Sequence, residues 1–194
     1  MLAVVALTLA ACNSNKSKNE TTGNTDTNNI VTTKPDTSTT TEGVTANAAE
    51  FSTKEIIDGY LQLKNALTAD KPKDAASAAN SMKAALSKVN NTTLSADKQK
   101  IYADLQEGIR EHTEHIGSNG GNLEHQREHF IMLSRDIASL IKNFGNNGQT
   151  LYKDFCPMAD NGKGAIWISE IKEIKNPFYG TKMISCGSVK ETIN

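Results

Sequence analysis

The sequence predicts an all-α domain: an up-down-up-down four-helix bundle carrying an irregular, partly β C-terminal flap. Three observations predict it. Four apolar stripes with helical spacing lie between Phe51 and Phe144, short polar breaks separate them, and the composition changes after Thr150. Stripes that recur every three or four residues place their side chains on one helix face, and short connections favour antiparallel neighbours.

The first helix is expected over Ser52–Leu67. Ser52 and Glu55 have the spacing of a capping box, Phe51 and Ile56 can staple it, and Ile56, Tyr60, Leu63 and Leu67 form the stripe. The second, Pro72–Val89, opens on a proline suited to a first turn and carries Ala75, Ala79, Met82, Leu86 and Val89, whose alanines permit close packing. After the polar break Asn90–Leu94, the third runs Ser95–Ile116 with Ile101, Leu105, Ile109, His112 and Ile116, which puts His112 at a core position. The fourth, Asn122–Asn143, has Asn122 as cap, an apolar face of Leu123, Phe130, Leu133, Ile137, Leu140, Ile141 and Phe144, and Gly145 as its stop. In the tail, Ala165–Ser169 is expected as a strand with its partner within Met183–Val189.

At 194 residues, with 37% hydrophobic and 22% charged content, the chain has room for one ordinary domain plus an extension. A net charge of −1 and a pI near 6.4 give no support to nucleic-acid binding. Met1–Ala11 is an apolar run that closes in Leu9-Ala10-Ala11-Cys12, the form of a lipoprotein signal-peptidase box. Residues 1–12 are therefore expected as an export signal with Cys12 lipidated; the competing reading is an ordinary secretory signal. The run is too short to span a bilayer, and its missing basic segment points to a start upstream of Met1. Residues 13–50, rich in Thr, Asn, Ser, Lys and Asp, are expected as a disordered tether to the domain at 51–194.

All four histidines fall within Glu111–Phe130, EHTEHIGSNGGNLEHQREHF. His112 and His115 end the third helix, His125 and His129 begin the fourth, and the turn through Gly117–Gly121 folds them back on each other. Facing residues of an antiparallel hairpin have nearly constant index sums, which pairs His115 with His125 and His112 with His129. Neutral imidazole is the commonest protein metal ligand. The tail adds Cys156-Pro157-Met158 and Met183-Ile184-Ser185-Cys186, each offering a thiolate and a thioether, the soft ligands that select Cu(I). This inventory suits copper, as Cu(I) foremost, or zinc.

A structural alternative stands beside it. In an oxidising compartment Cys156 and Cys186 form a disulfide that staples the tail of an interaction bundle, the methionines are core residues, and the histidines finish helix ends. The helix dipole accounts for His112 and His115 at a C-terminus but not for His125 and His129 at an N-terminus. A remote alternative is the string His125-Gln126-Arg127-Glu128-His129, which matches the H-x-x-E-H of inverzincin zinc peptidases. Such an enzyme also needs a third ligand and a substrate-binding scaffold, so no catalytic activity is expected.

The hairpin EHIGSNGGNLEHQREHF together with the tail motifs CPMA, GAIWIS and IKNPFYGTKMISCGSVKE resembles a domain family of formally unknown function over about residues 53–193. That family occurs as stand-alone lipoproteins and as the C-terminal extension of periplasmic adaptor subunits in copper/silver-type RND efflux pumps. The resemblance implies heavy-metal binding, copper first, through His115, His125, His129, Cys156, Met158, Met183 and Cys186, with His112 the least clear match. It also implies a place on the periplasmic side of a Gram-negative envelope, lipid-anchored at the outer membrane, with an RND-type efflux system or another envelope protein as partner. An adaptor portion is missing from this chain, so a direct role in the pump does not carry over.

Overall fold

The computed structural model describes residues 50–194; the expected export signal, Cys12 and the tether up to residue 49 lie outside the described residues. Four helices come first: α1 (Lys54–Thr68), α2 (Pro72–Leu86), α3 (Ala96–Ser118) and α4 (Leu123–Phe144). A small three-stranded antiparallel sheet follows, built from β1 (Leu151–Cys156), β2 (Ala165–Ser169) and β3 (Ser188–Ile193) in the order β2-β1-β3. No helix among the described residues is long and apolar enough to cross a membrane.

One core runs through the helices and into the sheet. Ile56, Leu63 and Leu67 of α1, Ala75, Ala79 and Met82 of α2, and Phe130, Leu133, Ile137 and Leu140 of α4 are buried with Leu151, Trp167 and Ile168 of the sheet. Tyr60 joins three elements. Its ring stacks on Phe130 with centroids 5.2 Å apart, while its hydroxyl lies 2.8 Å from Ser134 Oγ and accepts the Ile168 N–H at 3.1 Å. Burial pushes this phenol's pKa well above the usual value, so it serves as a neutral donor and acceptor.

Several local expectations are corrected. The capping box does not form: α1 begins at Lys54 after Thr53, Ser52 Oγ accepts the Lys54 N–H at 3.2 Å, and Glu55 instead faces Lys88 at 3.6 Å. Phe51 packs on Tyr102 and Phe144, with centroids at 5.4 and 5.1 Å, and this aromatic cluster draws Tyr102 rather than Ile101 inward. Adjacent residues sit about 100° apart on a helix, so the buried line of α3 becomes Tyr102, Ile109, Thr113 and Ile116, leaving Ile101 exposed. His112 is therefore half-buried at the edge of the core rather than within it.

The tail is partly β, as expected, with its strands joined into one small sheet and a long non-strand stretch between β2 and β3, so the domain is mostly helical rather than all-α. β2 lies where expected, but its partner is β1, and Ser188–Val189 pairs with β1 from the other side. A register shift between Lys153 and Asp154 interrupts the pairing with β3, and β1 buries Leu151, Asp154 and Cys156 instead of every second residue. Bulges break the two-residue period, which is why β1 is hard to read as a strand.

Asp154 is fully buried and neither carboxylate oxygen has a hydrogen-bond partner. Desolvation pushes its pKa up to about 7, against an opposing pull from Lys64. The folded state thus keeps a proton that the unfolded chain has lost, so acid favours folding and the advantage disappears as pH rises from about 4 to about 7. Asp154→Asn removes this titration. The variant should gain over the parent slightly at pH 5 and much more at pH 8; melting curves at both values check the difference, and an equal offset at the two pH values would refute it.

Candidate metal centre

The centre is built where α3 ends and α4 begins. Asn119 follows α3 and donates its side-chain amide to the His115 carbonyl at 2.8 Å, and the Asn122 N–H closes the turn on the Asn119 carbonyl at 2.9 Å. Asn122 Oδ1 then accepts the His125 N–H at 3.2 Å, the cap expected from the sequence. Beneath the turn, the buried Gln126 amide donates to the Pro72 carbonyl at 2.9 Å and to the Ile116 carbonyl at 3.2 Å. These bonds hold the start of α4 to the start of α2 and the end of α3.

With that register, both expected histidine pairs face each other. Ring centroids lie 5.9 Å apart for His115 and His125 and 5.5 Å for His112 and His129, while His115 and His129 stack most closely, at 4.1 Å and 8°. His115, His125 and His129 each bring a ligand nitrogen within 4.8 Å of the other two, and they form the one such His, Cys, Asp or Glu group found among the described residues. His112 joins through Nδ1, which is 3.2 Å from His129 Nδ1. Metal–nitrogen bonds of ~2.0–2.1 Å in a tetrahedron set nitrogen–nitrogen edges of about 3.3–3.4 Å. The His112–His129 contact is close to that length, while the nitrogens of His115, His125 and His129 stand up to 4.8 Å apart.

Electrostatics keep the cluster ready to accept a cation. Desolvation, and then the neighbouring His115, His125 and His112, lower the pKa of His129, so its ring stays neutral into mildly acidic conditions. His125 Nδ1 lies 3.3 Å from Glu128 Oε2, which leaves its Nε2 for a metal. An open depression of about 290 Å³ lined by Arg110, Glu111, Glu114, His115 and Ser118 exposes one side of the centre.

The sulfur residues are placed differently. Cys156 Sγ and Cys186 Sγ are unbonded and 3.1 Å apart, with Cys156 buried and Cys186 half-buried. Cys156 raises the Cys186 thiol pKa through a hydrogen bond, and desolvation adds to it. Asn176 fixes this corner by accepting the Phe178 and Tyr179 N–H groups and donating to the Cys186 carbonyl at 2.6 Å. Gly187, at φ 143°, must lack a side chain because a Cβ would stand 2.8 Å from the Trp167 ring and 3.0 Å from the Phe155 carbonyl. Met158 is 50% exposed, with its carbonyl accepting from the Tyr179 hydroxyl, and Met183 follows the short 3-10 turn Gly180–Lys182. The structure thus gathers the histidines in one place and the cysteines in another, and the cysteines are not part of the histidine group.

The H-x-x-E-H string is largely occupied by structural bonds. Gln126 is the buried tie described above, and Arg127 donates to the Pro177 and Leu67 carbonyls at 2.8 and 2.9 Å and pairs with Asp70 at 2.5 Å. Two further residues escaped the sequence reading. Gln126 lies four residues before Phe130, in phase with the apolar stripe, and a polar residue at that phase was its available signal. Asp136, 3.8 Å from His112 Nε2, gave none.

The fold and site define a mostly helical domain with a polyimidazole cluster at the α3–α4 turn. Residues 56–149 match the family described as "Protein of unknown function (DUF3347)". The matched segment contains all four helices from Ile56 onward and every histidine, and it ends before β1 and the cysteines. No curated protein and no solved structure matches the chain.

Gln126→Ala removes the side-chain amide that ties the Pro72 and Ile116 carbonyls together, leaving Ile116 only the Asn119 N–H at 3.3 Å. The expected cost of losing the two bonds is about 1–2 kcal/mol, read as a lower urea midpoint with an unchanged m-value. A loss below about 0.5 kcal/mol would show that water or a neighbour replaces the amide.

Proposed function

We propose that this protein binds a heavy metal through His115, His125 and His129, with His112 at their side, and serves metal homeostasis or efflux in the cell envelope. The observation that carries the proposal is the convergence of three imidazole nitrogens within 4.8 Å of one another. Copper is the favoured metal and zinc the alternative, since imidazole suits both and Cu²⁺ heads the divalent affinity order. An all-nitrogen centre takes Cu(II) or Zn(II) most readily. Cu(I), expected from the sulfur motifs, falls to Cys156 and Cys186, with Met158 or Met183 as a thioether addition. The four helices, arranged as an up-down-up-down bundle, supply the rigid support. Anchorage through Cys12 on the periplasmic side of a Gram-negative outer membrane rests on the Leu9-Ala10-Ala11-Cys12 string, and an RND-type efflux partner rests on the family resemblance alone.

Copper or zinc at about one hundred times its Kd should raise stability by ~2.7 kcal/mol. His115→Ala, His125→Ala and His129→Ala should each weaken binding at least tenfold, whereas Lys88→Ala on the surface should not. Binding should fall away in acid as protons compete for the imidazoles, with His129 giving way last because its pKa is lowered. Calorimetric titration and melting with and without metal measure these effects, and identical melting curves would sink the proposal.

A second reading is favoured by the 3.1 Å contact between Cys156 Sγ and Cys186 Sγ. An oxidising compartment converts this dithiol to a disulfide by removing two electrons and two protons, and the bond staples β1 to the turn before β3. The cysteines are 30 residues apart, and closing a loop of that length stabilises by about 3–4 kcal/mol in the chain-entropy model. Thiol titration of unfolded protein should find no free Cys156 or Cys186 after air oxidation and both after reduction, with the melting temperature lower in the reduced form. Free thiols in the oxidised sample would remove the staple.

A further inference from the structure

The fourth histidine points its two ring nitrogens at different partners. Its Nδ1 lies 3.2 Å from His129 Nδ1, inside the cluster, while its Nε2 lies 3.8 Å from Asp136 Oδ2 on α4. His112 is mostly enclosed, with 14% of its side chain exposed, and Asp136 is at 28%. A third residue makes the approach possible. Gly108, one turn before His112 on α3, faces the same carboxylate, and a Cβ there would stand 2.7 Å from Asp136 Oδ2. Glycine inside a helix is unfavourable relative to alanine, so its place opposite Asp136 calls for a reason. Room for the carboxylate supplies one.

We propose that Asp136 is the positioning residue of the metal centre: it accepts the Nε2–H of His112, turns the Nδ1 lone pair toward the metal held by His115, His125 and His129, and depends on Gly108 for its room. The proposal rests on the metal-binding reading of the histidine cluster. Metal-bound histidines characteristically donate their second ring N–H to a carboxylate or carbonyl, which fixes the tautomer and makes the ligand nitrogen more basic. At 3.8 Å the Asp136–His112 contact is longer than a hydrogen bond. The proposed role has the Asp136 side chain close that gap to His112 Nε2. The arrangement adds His112 as the fourth nitrogen, so the metal it fits is a four-coordinate divalent ion with an all-imidazole shell.

The test uses the full chain, Zn²⁺ as probe for every variant and Cu²⁺ as a second probe for the parent, each in competition with a chromophoric chelator. Asp136→Asn should weaken Zn²⁺ binding by about 10–100-fold, the usual effect of losing a ligand's supporting partner. Gly108→Ala should weaken it in the same direction by pushing the carboxylate away. Because alanine is the better helix former, that variant should melt no lower than the parent without metal, which separates a lost ligand orientation from a damaged fold. In a His112→Ala background, Asp136→Asn should cause no further loss. Imidazole ¹⁵N spectra of the metal-free parent should show His112 as the Nε2–H tautomer, and this preference should disappear in Asp136→Asn. Zn²⁺ affinity indifferent to Asp136→Asn, or reduced equally with His112 already absent, overturns the positioning role while leaving the histidine centre intact. A parent chain that binds neither Zn²⁺ nor Cu²⁺ overturns the metal-binding reading itself, and the positioning role with it.

Discussion

The buried carboxamide of Gln126 sets the geometry on which the candidate centre depends. By donating to the Pro72 and Ile116 carbonyls, it fixes the first turn of α4 against α2 and α3 where the chain reverses. A shift of one residue in α4 would rotate its side chains by about 100° and turn His125 and His129 away from His112 and His115. Farther along α4, Tyr60 stacks on Phe130 and meets Ser134, so the same rotation of the helix is held from the α1 side. The imidazole cluster is thus a product of core packing and of one polar tie beneath it.

The helices were legible because each carries a stripe long enough to establish its phase, and the histidine pairs followed from the turn at Gly117–Gly121 alone. What the stripe could not decide was which of two adjacent residues faces inward, and the Phe51–Tyr102–Phe144 cluster decided that for α3. The capping box at Ser52 was locally plausible, but the chain enters α1 through Thr53, whose hydroxyl accepts from Asn147 at 3.0 Å, a contact 94 residues distant that no local pattern contains. β1 was obscured by a bulge and by an inward carboxylate. The sulfur motifs showed which ligands were available and that Cys156 and Cys186 could pair, but not that this pair stands outside the histidine group. Asp136 was invisible for a similar reason: its role depends on α4 passing a glycine of α3.

A buried carboxyl and a half-buried imidazole oppose each other as pH changes. Asp154 has a raised pKa, so its contribution favours the folded state in acid and is lost as pH rises through about 7. His129 has a lowered pKa, so the unfolded chain takes up a proton first and stability falls as pH drops below about 6.5. Below about pH 6.5, where both groups titrate, the two slopes oppose one another. Lys64 adds a third element: it is fully buried, paired with Glu170 at 2.7 Å, and its positive charge pulls the Asp154 pKa down. A buried ion pair of this kind gains little net stability over apolar packing, but removing one partner leaves an expensive charge behind.

The contacts of the centre are short in sequence, whereas those that dock the sheet are long. His112 and His129 are 17 residues apart, while Tyr60 and Ile168 are separated by 108. Contacts between near neighbours close cheaply and early, and distant ones wait for a larger loop to be brought together. The α3–α4 reversal can therefore assemble its imidazoles while β1, β2 and β3 are still undocked. With that order, an ion taken up by the proposed histidine centre would fasten the middle of the molecule before its C-terminal third has found its place.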